Sequence, residues 1–218
     1  MAVKAIARFI LGLNKLLTSS YPILPNYFLE LQYVPQKSQL KGYSMKQYST
    51  RIAIIHWLTL FLFIAAFYLG HTLDEIEVAK DKMSLYPAHF IIGDLVLVLT
   101  LIRAYFLRKD GKLPPIEGGS AIANKVATST HHLLYLLLIA LPVTGIIMIT
   151  TTGLLEALRL NDPSKLPDLE KFTIHEVHGT LVTILVLTIG LHALAALYHQ
   201  FILKDNLIRR MAIKRFKD

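Results

Sequence analysis

Cysteine is missing from all 218 residues. That absence removes disulfide frameworks, thiolate clusters, iron–sulfur ligation and covalent haem attachment through C-x-x-C-H. Any bound metal must sit on histidine or carboxylate. Charge is scarce as well: charged residues make up 17% of the chain and hydrophobic ones 54%, against roughly 25% and 45–50% in ordinary soluble domains. Acidic residues are the scarcer sign, and the formal net charge is +8. In a soluble protein such an excess points to nucleic acid. Here it has to be read against long apolar runs, and a nucleic-acid partner drops out.

Those runs are the most prominent feature that is present. They cover about Ile52 to Gly70, Tyr86 to Leu107, Ala127 to Thr151 and Thr173 to Leu203. Each approaches or exceeds the roughly 20 residues a helix needs to cross about 30 Å of hydrocarbon. The expected fold is all-α, an integral membrane four-helix bundle. Pro142 falls inside the third run, where a membrane helix tolerates it because neighbouring groups satisfy the freed carbonyl.

An even number of spans puts both termini on one side. Counting Arg103, near the end of the second run, with the connection that follows it, all but five of the 23 lysines and arginines fall before the first run, in the second-to-third connection or in the tail, the exceptions being Lys80, Lys82, Arg159, Lys165 and Lys171. The positive-inside bias therefore makes the N and C termini cytoplasmic. The connection Gly111–Ser120, with Pro114, Pro115, Gly118 and Gly119, reads as a cytoplasmic loop.

Residues 1–44 form a separate region ahead of the four-helix domain at 45–218, which ends in a basic cytoplasmic tail. Ile6, Phe9, Ile10, Leu13, Leu16 and Leu17 follow helical spacing, interrupted by Lys4, Arg8, Asn14 and Lys15. That pattern suits an amphipathic interfacial helix better than a signal peptide. Pro22, Pro25 and Pro35 then read as a linker. The alternative is a mis-assigned start, with the true one at Met45.

Nine histidines are many for a membrane chain, where ionisable groups within spans are costly unless they face the bundle interior. His178 and His192 are 14 residues apart. Nearly four helical turns place both rings on one face, about 21 Å apart along the axis. They cannot share one metal, but they can serve two sites. His56 lies near the cytoplasmic start of the first run, level with His192. His89 lies near the outer start of the second, level with His178. Two cross-bundle pairs result, and paired imidazoles on facing helices are how a bundle core holds six-coordinate haem. Taken singly, His56-Trp57 also reads as an interfacial anchor and His178 as a helix-packing hydrogen bonder. His175-Glu176-Val177-His178 is not the H-E-x-x-H zinc motif. The rings of His131 and His132 diverge by about 100° on a helix and do not chelate.

From about Met45 to Met211 the chain resembles the bacterial cytochrome b561 family of four-helix di-haem membrane cytochromes. The resemblance rests on Tyr48-Ser49, Ile55-His56-Trp57, the His89 segment, His131 with Tyr135, and Ala140-Leu141-Pro142. It also rests on the stretch from His178-Gly179 through Gly190-Leu191-His192-Ala193 to Lys204-Asp205-Asn206. It implies two non-covalent haems b, with His56 and His192 as the inner axial pair and His89 and His178 as the outer pair. It further implies an oxidoreductase of the bacterial inner membrane and respiratory chain, exchanging electrons with ubiquinone, with superoxide or a donor protein at the outer face. Residues 1–44 and the extra His175 depart from the family pattern.

Quinone reduction consumes protons, and two histidines on the cytoplasmic side are candidates to supply them. His199 lies seven residues beyond His192, and His131 opens the third span. Binding of haem propionates or lipid headgroups is the competing role for each. The outer loops carry Asp74, Glu75, Glu77, Asp81, Glu156, Asp162, Asp168 and Glu170. That acidity repels superoxide unless Lys80, Lys82 or Lys171 lies over the haem edge. Two rival functions stand beside this one: a haem-bearing subunit relaying electrons for a separate dehydrogenase or hydrogenase, and a cofactor-free proton-coupled transporter using Asp94, Arg103 and the histidines. Asp94, five residues past His89, also suits a supporting place at the outer site.

Overall fold

The computed structural model describes residues 46–114 and 120–214. The expectations for residues 1–44 and for the middle of the Gly111–Ser120 loop lie outside the described residues. Four long helices carry the fold: α1 (Thr50–Glu75), α2 (Ala79–Asp110), α3 (Ala121–Thr151) and α5 (Thr173–Tyr198). A short helix, α4 (Leu154–Leu160), follows α3. A π-helical turn, His199–Leu203, extends α5. The four helices are long and apolar enough to cross a membrane, and the chain is an integral membrane four-helix bundle. The helices α1, α2 and α3 extend by up to about two turns beyond their apolar runs, since only the middle must be apolar whereas the ends lie at headgroup depth; α5 starts with its run, and the end of that run forms the π-helical turn. Pro142 lies within α3 as expected, and Pro87 lies within α2.

The outward faces carry large apolar side chains such as Phe61, Tyr68, Ile91, Leu136 and Leu187. Water would penalise such a surface, but hydrocarbon does not. Inside, α1 packs mainly on α2 and α3 on α5, and α2 against α3 joins the two hairpins. One residue from each long helix, Phe63, Val96, Leu137 and Leu185, meets in a central apolar layer. Leu185 is fully buried and stands seven residues from both His178 and His192. Phe63 is seven residues after His56, and Val96 seven after His89. Two helical turns of about 10 Å thus separate the plug from each histidine layer, which divides the interior into two compartments.

The compartment of His89 and His178, called outer after the orientation expected from the charge bias, is capped by Leu73, Tyr86 and Leu154, with Leu158, Leu166 and Leu169 packed around them. The cap depends on α4. Gly153, at φ 85°, supplies the left-handed residue that turns the chain from α3 into it, a conformation with little steric cost for glycine alone. At the opposite end the two ends of the described chain meet. The Tyr48 amide donates to the Arg210 carbonyl at 3.0 Å, and the Trp57 indole donates to the Met211 carbonyl at 2.8 Å. Arg51 pairs with Asp110, clamping the start of α1 to the end of α2.

Candidate haem sites

At the outer end, His89 on α2 faces His178 on α5, with ring centroids 6.3 Å apart and planes at 67°. His89 Nδ1 donates to the Ala66 carbonyl of α1 at 3.0 Å. That close approach requires Gly70, because a Cβ there would stand 3.0 Å from His89 Cε1. On the other ring, the Thr144 hydroxyl donates to the Leu141 carbonyl at 2.7 Å. Its lone pair is thereby left to accept from His178 Nδ1 at 2.8 Å. Both outer imidazoles are therefore held in one tautomer, with Nε2 free of its proton. Such second-atom anchoring is characteristic of metal-ligating histidine. Between the rings lies a cavity of about 310 Å³ whose lining includes Gly93, Gly145 and Gly179. A Cβ at Gly93 or Gly179 would meet nothing within 4 Å, so the absent side chains leave real space.

At the inner end, His56 on α1 faces His192 on α5, with centroids 6.4 Å apart and planes at 80°. His131 on α3 joins them, 5.2 Å from His192. Among the described residues no hydrogen bond reaches the ring nitrogens of His56 or His192. The neighbourhood is instead polar and cationic. Arg103 of α2 lies over the Tyr135 ring at 5.7 Å, and both Arg103 Nε and the Tyr135 hydroxyl are buried without a partner.

These dimensions suit a haem iron in each compartment. A metal–imidazole bond of about 2 Å on either side, with about 1.2 Å from nitrogen to ring centre, sets two axial rings roughly 6.4 Å apart. Direct hydrogen bonding or stacking of the two rings would bring the centroids closer than this. The cavity at the outer pair and the orphaned polar atoms at the inner one also fit a large, partly anionic guest.

The structure brings the four predicted ligands together in the two predicted pairs. The two predicted quinone-site residues have different partners: His131 lies against His192 of the inner pair, whereas His199 Nδ1 meets Asp205 Oδ2 at 2.5 Å. Asp205 Oδ1 in turn accepts from the Leu207 amide at 3.1 Å. The π-helical turn His199–Leu203 and the left-handed Lys204 fold the following segment back, the Asp205 amide donating to the His199 carbonyl at 3.3 Å, and so bring the carboxylate to the ring. His175 sits at the outer mouth with Nε2 3.7 Å from Asp74. Asp94 lines the outer cavity together with Asp74, and among the described residues no lysine or arginine does. Lys171 is engaged with Asp168 at 3.1 Å. The loop acid Asp162 accepts from the Ser164 amide and hydroxyl at 3.0 and 2.6 Å, and these bonds hold its carboxyl below the usual range.

Sequence reasoning missed Ala66, Thr144 and the Arg103–Tyr135 contact. Only Arg103 carried a signal, as an ionisable residue within a span. Thr144 is one of many threonines, and Ala66 acts through a carbonyl that every residue possesses.

Residues 47–213 match the sequence pattern of prokaryotic cytochrome b561. The chain is 32% identical over 181 residues to the probable superoxide oxidase CybB of Yersinia pestis, covering 78% of this chain and 98% of that protein. It is 30% identical over 176 residues to cytochrome b561 homolog 1 of Escherichia coli, covering 78% and 99%. With cytochrome b562 of Cereibacter sphaeroides it shares 31% identity over 171 residues, 74% of this chain and 93% of the other.

Proposed function

The chain belongs to the prokaryotic cytochrome b561 family of membrane electron-transfer proteins, and from that premise we propose that it carries two haems b and passes electrons from an outer-face donor to ubiquinone. The inner haem would lie between His56 and His192, the outer between His89 and His178. The observation that carries this reading is the pair of facing imidazoles at each end of one bundle, at 6.4 and 6.3 Å. Family membership also leaves the cofactor-free transporter without support.

A bound haem b supplies a one-electron couple without proton chemistry of its own. What the polypeptide contributes is orientation and exclusion. Ala66 and Thr144 hold the outer rings with Nε2 deprotonated. The layer of Phe63, Val96, Leu137 and Leu185 keeps water from running between the two compartments. The lysine and arginine bias puts the inner pair and both termini on the cytoplasmic side of a bacterial inner membrane.

Quinone reduction then belongs at the inner half, where protons are available from the cytoplasm. His199 is the proton-donor candidate, because an imidazole backed by the Asp205 carboxylate can be reprotonated in place. His131, against His192, is the candidate to hydrogen-bond the quinone oxygen. For the donor, the name of the Yersinia relative makes superoxide the first to test. Asp74 and Asp94 in the outer lining predict that an anion arrives there without electrostatic steering. Residues 1–44 are read as an extension of the 45–218 cytochrome domain.

The deciding measurement is a pyridine haemochrome assay on protein purified without a second chain, followed by mixing of the reduced protein with quinone. Two haems b per chain and reoxidation by quinone alone are expected. A value of one haem or none defeats the di-haem reading. Two haems without quinone reactivity would make the protein a relay subunit for a separate dehydrogenase or hydrogenase.

A further inference from the structure

Arg103 is a cation inside the bundle with no anion to meet among the described residues. It stands on α2 seven residues before Asp110, about 10 Å along the axis from the helix end. Its Nε is buried without a hydrogen-bond partner, and so is the Tyr135 hydroxyl over whose ring it lies. The titratable groups its charge reaches are Tyr48, His56, His131, Tyr135 and His192. None of them is a carboxylate. Among the described residues Arg103 has no ion pair, although Arg51 on the neighbouring helix is paired with Asp110. An unpaired guanidinium at this depth is costly, so the site calls for a partner of opposite charge, which none of the described residues supplies.

The chemistry of that partner follows from the fork. A guanidinium presents parallel N–H donors that match a carboxylate, and the Tyr135 hydroxyl adds a third donor beside them. The planar group held by His56 and His192 carries two propionates. We propose that Arg103 and the Tyr135 hydroxyl form a carboxylate-binding site at the inner end of the bundle, occupied by a propionate of the inner haem. This rests on the di-haem reading above. It makes Arg103 a positioning residue whose charge also sets how readily the inner site accepts an electron. With the guanidinium removed, the propionate charge stands bare beside the iron and opposes reduction.

The test is a potentiometric titration of both haems in the parent and in Arg103→Gln, Arg103→Lys and Tyr135→Phe, with haem content measured on each. Arg103→Gln should make the inner haem harder to reduce by about tenfold in equilibrium constant, ~59 mV for one electron. The outer haem should titrate as in the parent. Arg103→Lys should recover most of the shift, and Tyr135→Phe should show a smaller one. If Arg103→Gln fails to retain the inner haem, Arg103→Lys must retain it, since the charge is what the site requires; loss in both variants overturns the assignment. Exchange of the native cofactor for haem dimethyl ester separates the sources of the anion. The guanidinium charge acts on the iron with either cofactor, so retention is the readout here: Arg103→Gln should release the native inner haem faster than the parent does, and the two should release the ester alike. A difference in release that persists with the ester points to a lipid phosphate or a free anion and overturns the propionate assignment. A parent with two haems and an unshifted Arg103→Gln overturns this inference alone, whereas a parent without an inner haem overturns the proposed function with it.

Discussion

The two histidine pairs have nearly the same spacing and very different surroundings. At the outer pair each ring is anchored through its second nitrogen, by the Ala66 carbonyl at 3.0 Å and the Thr144 hydroxyl at 2.8 Å. At the inner pair the described residues supply a third imidazole, His131, and the cation Arg103 instead. The outer site is thus built to hold ligands in one tautomer inside an apolar cavity. The inner site presents a cation and a further imidazole instead, which is why the proposed proton exchange is assigned to it. Two sites of equal geometry in one bundle can therefore differ in chemistry through the atoms behind the ligands.

The largest effects come from breaking the pairs themselves. His56→Ala and His192→Ala should each remove one haem and leave the same reduced-minus-oxidised spectrum. His89→Ala and His178→Ala should share a different one. If the His56→Ala spectrum coincided with that of His178→Ala, the pairing by depth would be wrong.

Next in size is the division of labour between the ends. His199→Gln should retain both haems and slow stopped-flow reoxidation by quinone about 10²-fold, the scale of a lost general acid. His175→Gln should reoxidise like the parent. The reverse outcome would move quinone to the outer mouth, where His175 and Asp74 face each other, and would reverse the direction of electron flow.

Anchoring gives a smaller effect. Thr144→Val removes the acceptor of His178 Nδ1 and should weaken retention of the outer haem by about 10-fold, at the low end for lost second-atom partners of a metal ligand. Haem loss on dilution into apomyoglobin would measure it, with the inner haem released as in the parent. Equal acceleration at both sites would mean that the substitution loosens the bundle generally.

The smallest expected change is Gly70→Ala. Its methyl would meet His89 Cε1 at 3.0 Å, so the ring must tilt. Low-temperature spectra should show a shifted outer haem band with haem content unchanged. An unaltered spectrum would mean that α1 yields instead of the ring.

What could be read from the chain alone was whatever depends on distance along a helix. Run length gave four spans, and lysine and arginine placement gave an orientation to test. The 14-residue interval from His178 to His192 gave two sites on one face of α5. The central layer repeats that interval by halves, since Leu185, Phe63 and Val96 each stand seven residues from a histidine. A helix of fixed pitch converts such spacings directly into height and facing.

What only the tertiary structure decided was which atoms on different helices meet at a given height. Nothing in local spacing says that Thr144 of α3 reaches His178, that a carbonyl of α1 receives His89, or that Arg103 comes to rest on Tyr135. Those contacts depend on how each helix is rotated and tilted against its neighbours, which packing sets jointly for all of them. His199 shows the limit within a single helix. Its seven-residue spacing from His192 predicts a shared face, and α5 runs unbroken to Tyr198, but the π-helical turn that follows brings Asp205 back onto the ring and gives it a partner the spacing does not foretell. Pitch is a local property of the backbone, and the sequence specifies it; relative rotation belongs to the assembled bundle.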